Sequence, residues 1–569
     1  MVPSNWVPLF TTLRFVLAAY RSPRLPKGLW PMKSAFSSFL LFAFVGASVA
    51  QQTIPPNTFK HIIIVVQENR TPDNLFGAGA PFGAKCGGQD QFEAGVDIDN
   101  GGYGYINQAR QEICNTPIDV NGTQDPDHSY QDQGNNGYGW LDQYHNGYMD
   151  GFCEIYTGGQ CLQYSYVKKP DVQPYFDIAA AYGFANYMFQ TNEGPSFPAH
   201  QFLFTGTSAP VGTVPVFPVE ALDFVAENGG GDGNSSGCAY GNVSALVDPT
   251  GSEGAGPLEC YPHDSLVTDS NGNKPVTWRY YTPTEGAIWD APASIPEVCY
   301  GTNSNYTVGA PCGGPEWAQH IVLPTTGAGG GAPILADIQS CSLAQISWVI
   351  PDEDWSDHAG GNKPAPPAPP YGPSWVGNII DAIGDSWSSS NHQCDYWGTN
   401  SPNAEPTAIF VVWDDWGGWF DHVPPPAVYR SNDPTTCPVS DAPNGWGCGY
   451  VYGFRVPLLV VSEFTTNYVS GACTSNCPNA GFPFVHDFGS ILSFAEWNFG
   501  LQPIDPPYYA DYNAPDGSNG HVPLADFFQS WPNSRGFTYI STPYPASTFQ
   551  GFYYKTENVP TGPDGGSSD

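Results

Sequence analysis

His61-Ile62-Ile63-Ile64-Val65-Val66-Gln67, followed at once by Glu68-Asn69-Arg70, is the stretch from which the fold is read. Five consecutive β-branched residues favour a pleated backbone, and an unbroken apolar run leaves neither face for water, so the spacing predicts a strand buried on both sides. Similar runs recur at 346–350, 408–413 and 457–461. Each run ends in polar residues: Glu68-Asn69, Asp352-Glu353, Asp414-Asp415 and Ser462-Glu463. Helical candidates lie between them at Asp177–Phe189, Trp375–Ala382 and Phe488–Phe499. Buried strands alternating with helices imply an α/β fold. In such folds ligand-binding groups gather at the carboxyl ends of the strands, so widely separated acidic clusters are expected to converge in one crevice.

The rest of the chain frames that core. Residues 209–340 are rich in Gly, Ser, Asn and Pro, and hold Cys238, Cys260, Cys299 and Cys312. They read as a long, disulfide-braced, loop-rich insertion, an excursion from the core that caps the site; an independent β-rich domain is the alternative. Asn121, Asn234, Asn242 and Asn305 head N-x-Ser/Thr sequons. The tail 560–569 has a disordered composition. At the other end, residues 1–50 carry five basic residues and no acidic one, then an apolar run and small residues before Gln51. This is the layout of a secretory signal peptide, with Met32 as the expected true start and the mature chain running from 51. No later run is long and apolar enough for a transmembrane anchor.

Export, an even count of 14 cysteines and loop-rich surroundings favour disulfides over metal thiolates. The nearest pairs in sequence are Cys153/Cys161, Cys437/Cys448 and Cys473/Cys477. The formal charge is −36, and loss of the five basic residues of the leader takes it to −41. Nucleic acid is excluded as a partner, because phosphate backbones need clustered Lys and Arg. An acidic, lysine-poor exported protein also suits work at low pH, where protonated carboxylates relieve self-repulsion.

Four segments carry chemistry. Gly194-Pro195-Ser196-Phe197-Pro198-Ala199-His200 puts Ser196 at a helix N-terminus, where its hydroxyl either caps the helix or meets a phosphate. Glu68-Asn69 and Asp414-Asp415 offer the carboxylate and amide oxygens that hard divalent cations prefer. Gly417-Gly418 after the second pair permits close backbone approach. Asp127-His128, Asp357-His358 and Asp421-His422 repeat one acid–imidazole dipeptide among only 11 histidines.

Taken together these segments resemble a known family. Gln67 to Gly77 (QENRTPDNLFG), Gly194 to His200 with Gly206-Thr207-Ser208, Trp413 to Pro425, Gly453-Phe454-Arg455-Val456-Pro457 and His486 to Leu492 resemble, in order, the motifs of the phosphoesterases that include bacterial and fungal phospholipases C and acid phosphatases. The resemblance implies a three-layer α/β/α sandwich of the alkaline-phosphatase-like superfamily. It implies a divalent metal cation on Glu68, Asn69, Asp414 and Asp415, Ser196 as nucleophile, and His128 and His358 at the phosphoryl group or the leaving oxygen. The implied substrate is a phosphate ester or phospholipid, cleaved through a phosphoseryl intermediate. Two departures stand out: Asp415 where many members have Glu, and Ser196 with Ala199-His200 where many have Thr with Asn-Arg. Two rivals remain open: a secreted carbohydrate- or surface-binding protein without catalysis, and a sulfatase-like hydrolase. The second needs an Arg where this chain has His200.

Overall fold

The decisive run forms strand β1, His61–Gln67, buried along its whole length. A computed structural model describes most of residues 54–550; the described stretches are 54–77, 103–106, 111–122, 125–130, 139–153, 161–209, 224–227, 236–247, 253–262, 264–267, 276–301, 307–323, 333–360, 370–388, 394–398, 402–426, 452–471, 484–504 and 509–550. The expected signal peptide, the tail 560–569 and the pairs Cys437/Cys448 and Cys473/Cys477 lie outside the described residues.

Seven further strands complete an eight-stranded sheet: β2 Gly183–Ala185, β3 Trp278–Tyr281, β4 Ile321–Val322, β5 Ile346–Val349, β6 Thr407–Trp413, β7 Leu458–Val461 and β8 Tyr468–Ser470. Their order across the sheet is β4-β3-β5-β1-β6-β7-β2-β8. All are parallel except β7, which runs against both its neighbours. Val461 therefore pairs with Ile409 near the start of β6, and Ser462-Glu463 emerges at the end of the sheet opposite to Asp414-Asp415. The four run endings do not all share one edge.

Helices pack on both faces. The main ones are α1 Pro72–Phe76, α2 Lys169–Ala181, α3 Ser196–Thr205, α4 Tyr371–Ser388 and α5 Phe488–Phe499. Trp348 and Phe410 both lie in register with Ile64, so they project from one face. Trp348 packs on Phe204 of α3 and Phe410 on Phe494 of α5, with ring centroids 5.0 and 5.5 Å apart. Trp413, an odd number of residues beyond Phe410, points to the other face and meets Tyr175 of α2 at 4.9 Å. The protein is thus mixed α/β, with a large mixed sheet between two sets of helices.

Three expectations are corrected. The helix expected at Asp177–Phe189 runs instead from Lys169 to Ala181, entered through Pro170, and Gly183–Ala185 is a strand held between β7 and β8. Pairing with distant chain overrides the local pattern there. Residues 209–340 are not wholly an excursion, because β3 and β4 come from them and extend the central sheet. Phe224–Glu227, Val243–Val247 and Glu253–Leu258 form a separate three-stranded sheet. Cys238–Cys260 and Cys299–Cys312 brace this segment, while Cys153–Cys161 and Cys341–Cys394 close loops elsewhere. Finally, Asp352 caps a short turn by accepting from the Asp354 N–H, and this loop meets β1 and the residue after it through Asp357 N–H, which donates to Gln67, and Ser356 Oγ, which donates to Glu68.

Candidate active site

Register alone brings the two motif loops together. Gln67 and Trp413 are paired at the ends of parallel neighbours β1 and β6, so Glu68-Asn69 and Asp414-Asp415 leave the sheet side by side. The ladder continues past the strands, with Asp414 N–H donating to Gln67 O at 3.0 Å and Arg70 N–H to Asp415 O at 3.0 Å. Asn69 then turns with φ +61°, a left-handed conformation that asparagine tolerates better than most side chains. Gly417 and Gly418 also have positive φ, and they allow an approach no other residue would. A Cβ on Gly417 would lie 2.5 Å from Asn69 O, and one on Gly418 2.5 Å from Asp127 O. The double glycine lets the β6 loop lie against both the β1 loop and the segment carrying His128.

Ser196 arrives from the α3 side. It is the first residue of α3, the cap position being Pro195, and the hydroxyl does not cap the helix. Its Oγ donates to Asp415 Oδ2 at 2.9 Å, with Asn69 Oδ1 at 3.3 Å. Packing of α3 on the sheet, fastened by Trp348 Nε1 donating to Leu203 O at 2.9 Å, sets that position. Asp415 Oδ1 accepts from Gly417 N–H at 2.6 Å. Asp414 Oδ1 accepts from the N–H groups of Asn69 and Asp415 at 3.1 and 2.7 Å. Its Oδ2 lies 3.3 Å from His200 Nε2. Burial pushes the Asp414 carboxyl up, but His200, Ser196 and the Asn69 N–H outweigh it and hold the pKa below the usual carboxylate range. Glu68 is also buried, and its Oε2 accepts from Ser356 Oγ at 2.8 Å. Gln67 positions that loop, donating to Trp355 O and accepting from Asp357 N–H.

The two expected histidines lie next to each other, ring centroids 5.8 Å apart. His128 is enclosed: Nδ1 is 2.9 Å from Pro126 O and Nε2 is 3.0 Å from Asn69 Nδ2, an arrangement suited to a neutral ring with its proton on Nδ1. The His358 side chain is 17% exposed, and its Nε2 lies 3.7 Å from Asp125 Oδ2. Asp125, His128 and His358 form one cluster with metal-ligating donors. The neighbouring aspartates serve elsewhere. Asp127 accepts from Ser129, and Asp357 accepts from Tyr175 and Trp413. Arg70 donates to the carbonyls of Asp357 and Val120, and burial lowers its pKa to about 10 against the pull of Asp357 and Asp125.

The third Asp-His pair is not part of this constellation. Asp421 is bound twice by Arg455, at 2.9 and 3.0 Å, and Asp73 on α1 joins at 3.3 Å while also meeting His422 Nδ1 at 2.9 Å. Arg455 sets one positive charge between these two acids and clasps the two motif loops together, and Asp73, Asp421 and His422 form a second group of metal-ligating donors.

Whether the main site suits a metal can be judged from its donors. Asp414 and Asp415 are fully buried side by side; Asp414 Oδ2 faces the His200 ring at 3.3 Å without a well-formed hydrogen bond, and His200 Nδ1 has no hydrogen-bond partner among the described residues. Buried carboxylate oxygens without a partner are costly unless a cation answers them. The residues present fit a divalent ion.

Comparison with known proteins agrees with this geometry. The phosphoesterase family model matches residues 59–502. The chain belongs to the phosphoesterase family. That family comprises hydrolases of phosphoric ester bonds, and the five motifs met along the sequence all fall within the matched residues. The chain is 23% identical to the non-hemolytic phospholipase C of Pseudomonas aeruginosa over 465 residues, covering 78% of this chain and 54% of that protein. It is 23% identical to the non-hemolytic phospholipase C of Burkholderia pseudomallei over 528 residues, covering 85% and 63%. A shorter match, 32% over 135 residues, links it to phospholipase C B of Mycobacterium tuberculosis, covering 23% and 22%. The chain thus spans a little over half the length of the first two relatives.

Sequence reasoning placed Ser196, Asn69, Asp414, Asp415 and His128 in what proves to be one bonded set, with Glu68 and His358 beside it. It left His200 without a role and did not single out Ser356 or Asp125. The signal for His200 was present: it is four residues after Ser196 on one helix and so shares its face.

Proposed function

We propose that this phosphoesterase is a secreted, metal-dependent hydrolase of phosphate mono- or diesters, of alkaline-phosphatase-like fold, that works through a phosphoseryl intermediate on Ser196. The observation that carries the reading is the Ser196 hydroxyl, which ignores the helix it opens and bonds to Asp415 and Asn69. Glu68, Asn69, Asp414 and Asp415 would hold the cation. Bound there, a divalent ion supplies Lewis acidity toward the phosphoryl oxygens and the serine hydroxyl.

The chain's own groups then divide the work. Asp415 Oδ2, which accepts the Ser196 hydrogen bond, would take the hydroxyl proton as Oγ bonds to phosphorus and the ester oxygen departs, and would return it when the phosphoseryl bond is hydrolysed. The first turn of α3 presents the positive end of a ten-residue helix to the phosphoryl oxygens. His358, the more accessible imidazole, is placed to protonate the departing oxygen. His128 has both nitrogens engaged and orients Asn69. Water then attacks the phosphoseryl group, regenerating Ser196 and releasing phosphate or a phosphoalcohol. Specificity falls to residues 209–340: Leu246, Tyr261 and Ile288 pack on Phe197, the neighbour of Ser196. Phospholipid is the favoured substrate class because the relatives are named phospholipases C. Four disulfides among the described residues support export. Among the described residues no helix is long and apolar enough to cross a membrane.

The test is a hydrolysis panel of phosphatidylcholine and simple phosphomonoesters across pH, with and without chelator. Chelation is expected to abolish turnover, and Asp414→Asn to lose metal and activity together while staying folded. Full turnover in metal-free protein would overturn the reading.

A further inference from the structure

The geometry points to His200 as a nitrogen ligand completing the metal site, so that the resident ion is a first-row transition metal and not Mg²⁺ or Ca²⁺. This rests on the metal site proposed above and goes beyond its oxygen donors.

His200 follows Ser196 by four residues on α3, so both side chains leave one face of the helix. The ring is 1% exposed, and Nδ1 has no hydrogen-bond partner among the described residues. Opposite Nε2 stands Asp414 Oδ2. The two groups form a buried ion pair whose atoms do not lie on the line of a well-formed hydrogen bond. At 3.3 Å the Nε2–Oδ2 approach is long for a charge-assisted bond. The same separation is open to two ligands of one ion, each about 2.1 Å from it. Ser196 Oγ, Asp415 Oδ2 and Asn69 Oδ1 show like spacings, 2.9 and 3.3 Å. His128 is not a comparable candidate, since Asn69 Nδ2 and Pro126 O already face its two nitrogens. Oxygen-only sites suit Mg²⁺, Ca²⁺ and Mn²⁺, whereas an imidazole shifts preference toward Fe, Ni, Cu and Zn.

Pulsed EPR on the full-length protein, stripped and reloaded with Mn²⁺, reads ligation without reference to turnover. The wild type should show the ¹⁴N coupling of a directly bound imidazole, retained in His128→Gln and His358→Gln. His200→Gln should remove the coupling and weaken Mn²⁺ retention at least tenfold. If His200→Gln does not fold, coupling that survives in both other variants still supports His200. Mn²⁺ bound with no nitrogen coupling, and released by Asp414→Asn, would overturn the His200 assignment and leave the oxygen site standing. Coupling lost in His128→Gln or His358→Gln would reassign the ligand and overturn it as well. Failure of the wild type to bind Mn²⁺ any better than Asp414→Asn would overturn both.

Discussion

Gly417→Ala should damage stability and catalysis together, and the structure gives the size of each effect. Gly417 has φ +60°, where an L side chain costs about 1–2 kcal/mol. Its new Cβ would also sit 2.5 Å from Asn69 O and 2.7 Å from Asn69 Cβ. These are backbone and near-backbone atoms, so relief requires moving Asn69 or the β6 loop by at least about half an ångström, adding strain of about 1–3 kcal/mol. The total, about 3 kcal/mol, is measurable by urea unfolding. Because Asn69 Oδ1 faces Ser196 Oγ and Gly417 N–H holds Asp415, the same shift misplaces the hydroxyl. A misplacement approaching 1 Å typically costs about 10²-fold in rate. Gly500→Ala is the control: φ is +68° at the end of α5, but nothing lies within 4 Å of the new Cβ. It should lose only about 1 kcal/mol and leave kcat unchanged. If Gly417→Ala matched Gly500→Ala in both assays, close approach of the two loops would not be what builds the site.

Further outcomes follow from other parts of the molecule. Arg455→Met strips the counter-charge from buried Asp421 and Asp73 and should cost about 3–5 kcal/mol by denaturant melt, with much of the loss recovered in the Arg455→Met/Asp421→Asn double variant. Glu463 is buried near Asp395, and burial followed by that neighbouring charge raises its pKa to about 8 from an ordinary 4.5. The folded state therefore keeps a proton that the unfolded chain releases. This contribution is full below about pH 4.5 and is lost as pH rises toward 8; Glu463→Gln should flatten that part of the stability–pH curve by a few kcal/mol (about 1.4 per pH unit). Ser196→Ala should lose several powers of ten in turnover while still binding metal, whereas Ser208→Ala, beyond the end of α3, should lose far less.

Much of this was legible from the chain because strand register did the assembling. An unbroken β-branched run such as Ile62–Val66 declares itself, and once β1 and β6 are parallel neighbours their polar endings must meet. The short strands were hidden for the opposite reason. Trp278-Arg279-Tyr280-Tyr281 and Gly183-Phe184-Ala185 are too short to show a period, and only their partners make them strands. The reversed direction of β7 has no local signature either, so Glu463 could not be told from an acid at the site edge. Asp421-His422 looked like chemistry because its partners, Arg455 and Asp73, lie 34 and 349 residues away from the acid and the histidine respectively.

The stereochemical course at phosphorus tests the central claim most directly. Hydrolysis of an isotopically chiral phosphate ester by the wild-type enzyme should proceed with net retention, because two in-line displacements, first by Ser196 Oγ and then by water, each invert the centre. Net inversion would mean that water attacks the substrate directly, and Ser196 would then not be the nucleophile.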